Sequence, residues 1–450
     1  MRKGTILLLF LVLLVCVNES GGKELEKELE VTVNLNKAKE AVFSSAGGLK
    51  IEIGKRSFSV PSSRLVHFKE KGGKIEWEEE NILSSEVYIY PKGKEAILWG
   101  KRPYRGSFII KASSGGILVI NKLPLEDYIK GTMKLELSPS WPPEALKAQI
   151  IVARTYALKN LRRHEEEGFN FCATDHCQRY GGINAEDPVT NRLVEETKGL
   201  VLTYHNELAS AVFHSESGGF TESALDVWGR EIPYLVEVPS PWEESAPHSS
   251  WRVEFTKEQL EESLSRACLI QGEILDIRLF SSPEGRVEKI EVITTEGEFS
   301  FPASRFREAI GWEELPSTFF VMRKEEKEQK VRQESFPSPS SSSSSSSFSS
   351  SFDYDEWMEK DWDLDDIINF LKMREEERNR KKGIPPPPRV VVVEEVVSQG
   401  ATFIFEGKGY GHGVGLSQWG AKGMAEEGFS CREILSHYFP GCEIQRATFK

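Results

Sequence analysis

The feature that most constrains the fold is the tract 324–388, because it separates two segments of globular-type sequence. It contains the charge run KEEKEQKVRQE, the serines Ser340–Ser347 and the prolines Pro385–Pro388. Such a composition buries too little apolar area to offset the entropy of ordering, so it predicts a disordered acidic, serine- and proline-rich insertion. Sequence typical of strands resumes after it, in RVVVVEEVV and ATFIFEG. We therefore expect residues 389–450 to complete a domain that begins with 30–323.

One part of this tract has apolar residues at helical spacing, separated by acids. They are Trp357, Leu364, Ile367, Ile368 and Leu371. The pattern fits either a docking helix or a transient helix within a tether.

The N-terminus has the pattern of an export signal. Arg2 and Lys3 precede a run of apolar residues from Ile6 to Val17, and a polar stretch follows. The run is shorter than the ~20 residues that span a bilayer. Residues 1–22 therefore predict a signal peptide or a short membrane anchor, and an exported, extracytoplasmic protein.

The net charge argues against some classes of partner. The 450-residue chain has a formal net charge of −13. Binding of nucleic acid requires a basic surface that neutralises phosphates, so nucleic acid is excluded as a partner. The sequence leaves the oligomeric state open.

The order of the elements predicts an α+β fold with a β-rich, mostly antiparallel body. Residues 30–125 contain short β-branched and aromatic runs, and residues 170–325 mix loops and strands with short helices such as Asp187–Thr197. Between them, WPPEALKAQIIVARTYALKNL predicts the strongest helix, since prolines suit a first turn. We expect one side of it to carry small or aromatic residues together with two polar ones: Ala145, Ala148, Gln149, Val152, Tyr156 and Lys159.

Glu136 is a candidate general acid in the approach to that helix, six residues before Pro142. A carboxylate near a helix N-terminus is favoured in its charged form, whereas a general acid needs a raised pKa. Trp141 is the neighbour that could supply apolar surroundings. From this segment alone, a capping or surface-paired role for Glu136 is equally open.

A second candidate site is a cluster of histidines and cysteines. His164, Cys172, His176 and Cys177 form the pattern H-x7-C-x3-H-C, and two thiolates with two imidazoles suit tetrahedral zinc. The spacing is not that of a zinc finger. A Cys172–Cys177 disulfide outside the cytoplasm, or no bond at all, are the alternatives. Near the C-terminus, Cys431 and Cys442 fit either a disulfide or two free buried thiols.

Two further motifs do not match the chemistry that they first suggest. FHSESGGFTESALDVWG lacks the G-x-S-x-G order of a nucleophilic serine. GKGYGHGVGLSQWG, from Gly407 to Gly420, lacks both glycine-rich phosphate-binding patterns. Its glycines at alternate positions predict backbone that passes close to another surface or takes positive φ.

These blocks resemble the SpoIID/LytB family, that is, stage II sporulation protein D and the amidase enhancers. The stretches that carry the resemblance are LPLEDYIKGTMKLELSPSWPPEALKAQIIVARTYAL, QRYGGINAEDPVTNRLVEETKGLVLTY, VFHSESGGFTESALDVWGREIPYL and FEGKGYGHGVGLSQWGAKGMAEEGFSCREILSHYFPG. Their order and spacing are similar too. Where the family more often has AEMP, this chain has LELSPSWP, which keeps the glutamate and the prolines.

The resemblance implies a lytic transglycosylase that acts on peptidoglycan glycan strands, with Glu136 as its single catalytic acid and base. It implies a central cleft with His214, Ser217, Thr221 and Glu222 on one wall. The resemblance also implies a structural zinc at the histidine–cysteine cluster and a cell-wall amidase as a partner.

The same resemblance places the glycine-rich turn on the far side of a glycan groove, where His412, Ser417 and Gln418 would face the sugar. Trp419 is expected in the core.

Two other functions remain open. One is a non-catalytic, wall-binding amidase enhancer. The other is a hydrolase that uses Glu144, Glu222 or Asp226 as a second acid.

Overall fold

The computed structural model describes residues 16–17, 28–335 and 391–448, and side chains within 28–326 and 400–447. Most of the predicted leader and the candidate docking helix around Trp357 lie outside the described residues.

Twenty-five strands are assigned within the described ranges. They are β1 Cys16–Val17, β2 Glu30–Ala38, β3 Glu40–Ser44, β4 Leu49–Ile53, β5 Arg56–Val60, β6 Val66–Lys71, β7 Lys74–Trp77, β8 Ile82–Ser84, β9 Glu86–Pro91, β10 Ile97–Trp99, β11 Arg102–Tyr104, β12 Ser107–Ser113, β13 Gly116–Pro124, β14 Phe171–Cys172, β15 Leu200–Tyr204, β16 Glu207–Leu208, β17 Phe213–His214, β18 Trp251–Thr256, β19 Ile274–Ser281, β20 Val287–Thr294, β21 Gly297–Pro302, β22 Phe320–Ser335, β23 Val391–Gly407, β24 Leu416–Ser417 and β25 Glu443–Thr448.

Eight α-helices lie in the same described ranges. They are α1 Leu125–Glu136, α2 Pro143–Lys159, α3 Pro188–Glu196, α4 Ala224–Trp228, α5 Lys257–Arg266, α6 Ala303–Ile310, α7 Gln418–Glu426 and α8 Cys431–Tyr438. The helix predicted at Asp187–Thr197 is confirmed as α3, which Asp187 caps by accepting the Val189 N–H.

The strands form several sheets, and the two largest are in the N-terminal part. One has the order β14-β2-β13-β12-β9-β4-β5 and the other β11-β10-β3-β6-β7-β8. Alternation sets their buried faces: in β4, Leu49, Ile51 and Ile53 are buried, whereas Lys50 and Glu52 point outward. Smaller sheets have the orders β1-β25-β15-β16, β18-β23-β22, β19-β20-β21 and β17-β24. Nearly all pairings described are antiparallel, so the predicted α+β class is confirmed.

Helix α2 lies between two hydrophobic cores. Leu146, Ile150 and Ala153 pack into the core of the large sheets, whereas Ile151 and Val152 pack with α7 and α8. The predicted helix is confirmed. Because it is covered on both sides, it is apolar around most of its circumference.

The chain divides into two compact units, one with residues 1–323 and 404–450 and the other with residues 324–403. Strand β22 extends to Ser335 and β23 begins at Val391. The rest of the tract 324–388 lies outside the described residues. Within the described part of the chain, no helix is both long and apolar enough to cross a bilayer.

Candidate functional site

Glu136 is the last residue of α1. The helix ends because Leu137 adopts an extended conformation, and Leu137 donates its N–H to the carbonyl of Met133. Ser138 follows, and a residue before a proline such as Pro139 disfavours helical geometry. The expectation that Glu136 lies under the positive influence of the next helix is wrong. It lies at the C-terminal end of its own helix, where the partial charge is negative and favours a protonated carboxyl.

The pKa of Glu136 is raised from 4.5 to about 7. Burial of the side chain is the largest cause, and the negative charge of Asp175 adds to it. The Arg179 N–H, 3.3 Å from Oε1, partly offsets the shift, as does the charge of Arg179. A carboxyl with this pKa is populated in both protonation states near neutral pH, as a residue that donates and then accepts a proton requires.

Buried contacts fix the segment that carries the Arg179 N–H. The Gln178 side chain donates to the Ala153 carbonyl on α2 (3.3 Å), and the Tyr180 hydroxyl donates to Asn121 (2.8 Å). Arg179 itself points outward and pairs with Asp175 at 2.8 Å. The donor to Glu136 is therefore a backbone group held by its two neighbours.

Glu144, one of the residues considered as a second acid, already has two polar partners. It accepts the Cys431 N–H (2.8 Å) and pairs with Lys147 (3.1 Å). The Cys431 hydrogen bond is the main reason why the pKa of Glu144 is lowered. Its environment suits a permanent anion that joins α2 to α8, not a general acid.

The four predicted metal ligands converge. The ligand atoms of His164, Cys172, His176 and Cys177 all lie within 4.8 Å of one another. Cys177 Sγ is 3.4 Å from His164 Nε2, and Cys172 Sγ is 3.6 Å from His176 Nδ1. Tetrahedral zinc with Zn–S bonds of about 2.3 Å and Zn–N bonds of about 2.0 Å places sulfur and nitrogen about 3.6 Å apart. The donor types and their separations therefore fit zinc.

Contacts around the cluster orient the two rings. His164 Nδ1 lies 2.5 Å from Glu167, the carboxylate–histidine arrangement that is common behind metal ligands. His176 turns Nδ1 toward both sulfurs, and its Nε2 lies 3.1 Å from the Arg163 guanidinium. A metal on Nδ1 leaves the ring hydrogen on Nε2, so this arginine contact has to shift when a metal binds.

The five cysteines whose side chains are described are free: Cys172, Cys177, Cys268, Cys431 and Cys442. The Cys172–Cys177 disulfide considered above is therefore not formed. The Cys431–Cys442 disulfide is absent as well. Cys431 begins α8 and Cys442 follows its end, and eight helical residues span ~12 Å. Disulfides need Cα atoms less than about 7 Å apart.

The alternate glycines of the predicted turn are explained by their backbone. Gly409, Gly411, Gly413 and Gly415 all have positive φ, between 75° and 118°. A Cβ at Gly411 would lie 2.8 Å from the His214 Cβ. The prediction of positive φ and close approach to another segment is confirmed.

Comparisons with known proteins show which proteins the chain is similar to. A family model described as "Stage II sporulation protein" (SpoIID) matches residues 113–204, the stretch with Glu136 and all four histidine–cysteine ligands. Stage II sporulation protein D of Bacillus subtilis is 25% identical over 403 residues, which cover 85% of this chain and 89% of the relative. These matches support assignment of the chain to the SpoIID family.

Two other relatives extend this comparison. The amidase enhancer of Bacillus subtilis is 28% identical over 340 residues, 70% of this chain but only 40% of that longer protein. An uncharacterized protein of Brachyspira hyodysenteriae is 25% identical over 367 residues, 80% of this chain and 78% of the relative. The SpoIID assignment and these names support a role in the cell wall.

The serines proposed to face the sugar are internal. Ser217 and Ser417 are fully buried, and both donate to Oε1 of Glu243, at 2.7 and 2.5 Å. Ser240 donates to the same oxygen, and the Gly218 N–H donates to Oε2. The predicted substrate contacts of the two serines are therefore corrected: they satisfy a buried carboxylate. Sequence reasoning missed Glu243, which lies in the unremarkable stretch PSPWEE.

Thr221, His214 and Gln418 are buried too. Thr221 donates to the Val236 carbonyl and accepts the Val238 N–H, so it holds a loop and does not face a groove. His214 donates through Nδ1 to Val414, and burial lowers its pKa to about 3. Gln418, the first residue of α7, is 8% exposed. For these three residues, the predicted position on an open groove wall is wrong.

Glu222 and His412 both line one open pocket, and their contact with a sugar stays a prediction. Trp419 is only partly buried, unlike the core position expected, and packs edge-to-face on Trp141 with ring centroids 5.1 Å apart. This contact joins the loop after Glu136 to the segment that follows the glycine-rich turn. An effect of Trp141 on Glu136 stays a prediction.

Proposed function

We propose that this protein is a peptidoglycan lytic transglycosylase that cleaves the bond between N-acetylmuramic acid and N-acetylglucosamine. The observation that carries the proposal is Glu136, with its pKa of about 7 at a helix C-terminus. The similarity to the SpoIID family supports glycan strands of the wall as the substrate class.

In the proposed reaction, protonated Glu136 donates its proton to the glycosidic oxygen as the bond to the anomeric carbon breaks. That carbon gains oxocarbenium character. The carboxylate then takes the proton from the C6 hydroxyl of the same sugar, whose oxygen bonds to the anomeric carbon. A 1,6-anhydro sugar forms, no water is consumed, and Glu136 returns to its starting state.

A single carboxyl group is enough for this reaction because the nucleophile belongs to the substrate. A retaining hydrolase needs a second carboxylate about 5–5.5 Å from the acid. Glu144 is committed to the Cys431 N–H, and Asp175, whose charge acts on Glu136, is exposed and paired with Arg179. These environments favour the transglycosylase over the hydrolase.

We propose zinc as a structural cofactor held by His164, Cys172, His176 and Cys177. With four protein ligands, zinc would supply cross-linking of the loop and leave no open position for a water. The loop continues through Gln178 to Arg179, whose N–H reaches Glu136. The cluster thereby positions a donor to the general acid.

We also propose that the protein is exported and works on the wall with an amidase as its partner. The relative named amidase enhancer favours the second candidate function, a wall-binding activator without catalysis. Peptide-free glycan strands incubated with the wild type and with Glu136→Gln separate these functions. The transglycosylase predicts anhydro-ended products from the wild type alone. Absence of cleavage by both proteins supports the enhancer, and reducing ends support a hydrolase.

A further inference from the structure

The pocket that contains Glu222 and His412 is built from four separate parts of the chain. It lies between α4, the start of β20, the segment around α6 and the glycine-rich turn. The pocket is open to solvent on one side, so a ligand can lie across its mouth. Most of its lining residues lie outside the set proposed above for the glycan groove.

Two half-exposed tryptophans line this pocket. Trp228 is 46% exposed and Trp312 is 50% exposed, although large aromatic residues are usually much more buried. Each ring has a partner: Trp228 lies 5.2 Å from the His412 ring, and Arg307 lies 4.7 Å from the Trp312 centroid. The rings are thus fixed in place while a large part of each stays open to solvent.

The floor of the pocket carries a buried ion pair with an unused acceptor. Arg286 Nε lies 2.7 Å from Glu222 Oε1, and the two side chains are 2% and 8% exposed. The arginine N–H is not aligned as a hydrogen bond to that oxygen. Among the described residues, the second oxygen of Glu222 has no hydrogen-bond partner. A donor group of a polar ligand therefore finds an acceptor there.

Carboxylates outnumber arginines around the pocket: Glu222, Asp226 and Glu288 line it together with Arg286 and Arg307. The pKa of Glu222 is raised to about 7, and burial is the largest cause. The positive charge of Arg286 lowers it. Negative charges raise it further, and they belong to Glu237, Asp226 and Glu288. None of these last three carboxylates forms an ion pair within the described structure. Their negative charges oppose the attraction of Arg286 and Arg307 for a carboxylate or phosphate.

We propose that this pocket binds an uncharged N-acetylglucosamine unit of a glycan strand. A pyranose ring has an apolar face that stacks on an indole, and equatorial hydroxyls that bond to carboxylates and guanidinium groups. Muramic acid carries a carboxylate, so the acidic surroundings disfavour it at this position. The inference rests on the proposed function, since the ligand is taken from the same polymer.

Calorimetric titration of the full chain carrying Glu136→Gln tests this pocket without turnover. The probe is the N-acetylglucosamine tetramer. We expect saturable binding that Trp312→Ala and Trp228→Ala each weaken at least about tenfold. Trp312→Phe, which keeps an aromatic face, is expected to retain most of the affinity. Phe280→Ala is the matched control, since Phe280 is 42% exposed outside the pocket. Thermal melting of each variant shows whether it is folded.

The proposal is overturned if the tetramer does not bind, or if both folded tryptophan variants bind it as well as the parent. A disaccharide with a free muramic carboxylate is expected to bind more weakly than the N-acetylglucosamine dimer, and equal affinities would contradict the role of the acidic rim. If no sugar binds but Trp312→Ala abolishes stimulation of a wall amidase, the surface is a protein interface instead.

These outcomes are independent of the catalytic proposal. Tetramer binding that depends on Trp312, without anhydro products from the wild type, leaves the pocket standing and removes the transglycosylase. Anhydro products without such binding do the reverse.

Discussion

Substitution of Glu136 by glutamine should stabilise the protein at alkaline pH while it abolishes catalysis. The folded-state pKa of Glu136 is about 7, against 4.5 for the free side chain. Because the folded state holds the proton more tightly, stability falls as the pH rises from about 4.5 to about 7. A shift of this size corresponds to about 3 kcal/mol of unfolding free energy. Glutamine is neutral at every pH and removes this cost.

Urea denaturation of the wild type and Glu136→Gln at pH 4, 6 and 8 measures the effect. We expect similar unfolding free energies at pH 4 and a variant that is more stable by up to about 3 kcal/mol at pH 8. Glu144→Gln is the control of opposite sign. The pKa of Glu144 is lowered, so that variant should be less stable at neutral pH, by an amount that shrinks in acid. A gap between the wild type and Glu136→Gln that is the same at pH 4 and pH 8 would refute the burial argument.

Three other predictions follow from the described contacts. Glu243→Gln should lower the unfolding free energy measured in urea by about 2–4 kcal/mol, because one buried carboxylate oxygen accepts hydrogen bonds from three hydroxyl groups. An unchanged unfolding free energy would contradict the role of this network. Cys172→Ser should lower the zinc content found by elemental analysis of the folded protein, whereas Cys442→Ser should not, and equal zinc in both would remove Cys172 as a ligand. Gly411→Ala should lower the melting temperature more than Gly219→Ala. Both glycines have positive φ, but only at Gly411 would an added Cβ meet a neighbouring atom. Equal losses would show that backbone strain alone sets the effect.

Local patterns predicted much of the fold and of the site. Helix α2 and its proline start, α3 with its Asp187 cap, and the convergence of two histidines and two cysteines could all be predicted from spacing. The end of α1 is also indicated, because Ser138 precedes a proline, yet the sequence analysis considers Glu136 only in the approach to the next helix. The structure places it at the C-terminus of α1, where the helix dipole has the opposite sign.

Features that depend on distant segments could not be predicted from the sequence. Ser417 and Glu243 are 174 residues apart, and no short motif links them. A serine hydroxyl can donate a hydrogen bond equally well to a sugar or to a buried carboxylate. Tertiary packing therefore decides which of the two it contacts. The pocket around Trp312 likewise joins parts of the chain whose sequence carries no common signal.

The central claim is that Glu136 directs an intramolecular attack on the glycan. The most direct measurement is mass spectrometry of products formed from peptide-free glycan strands in water enriched in heavy oxygen. The account predicts 1,6-anhydro ends that are lighter than hydrolysis products by one water and contain no heavy oxygen, with no cleavage by Glu136→Gln. Reducing ends that carry heavy oxygen, or anhydro ends formed by the Glu136→Gln variant, would contradict it.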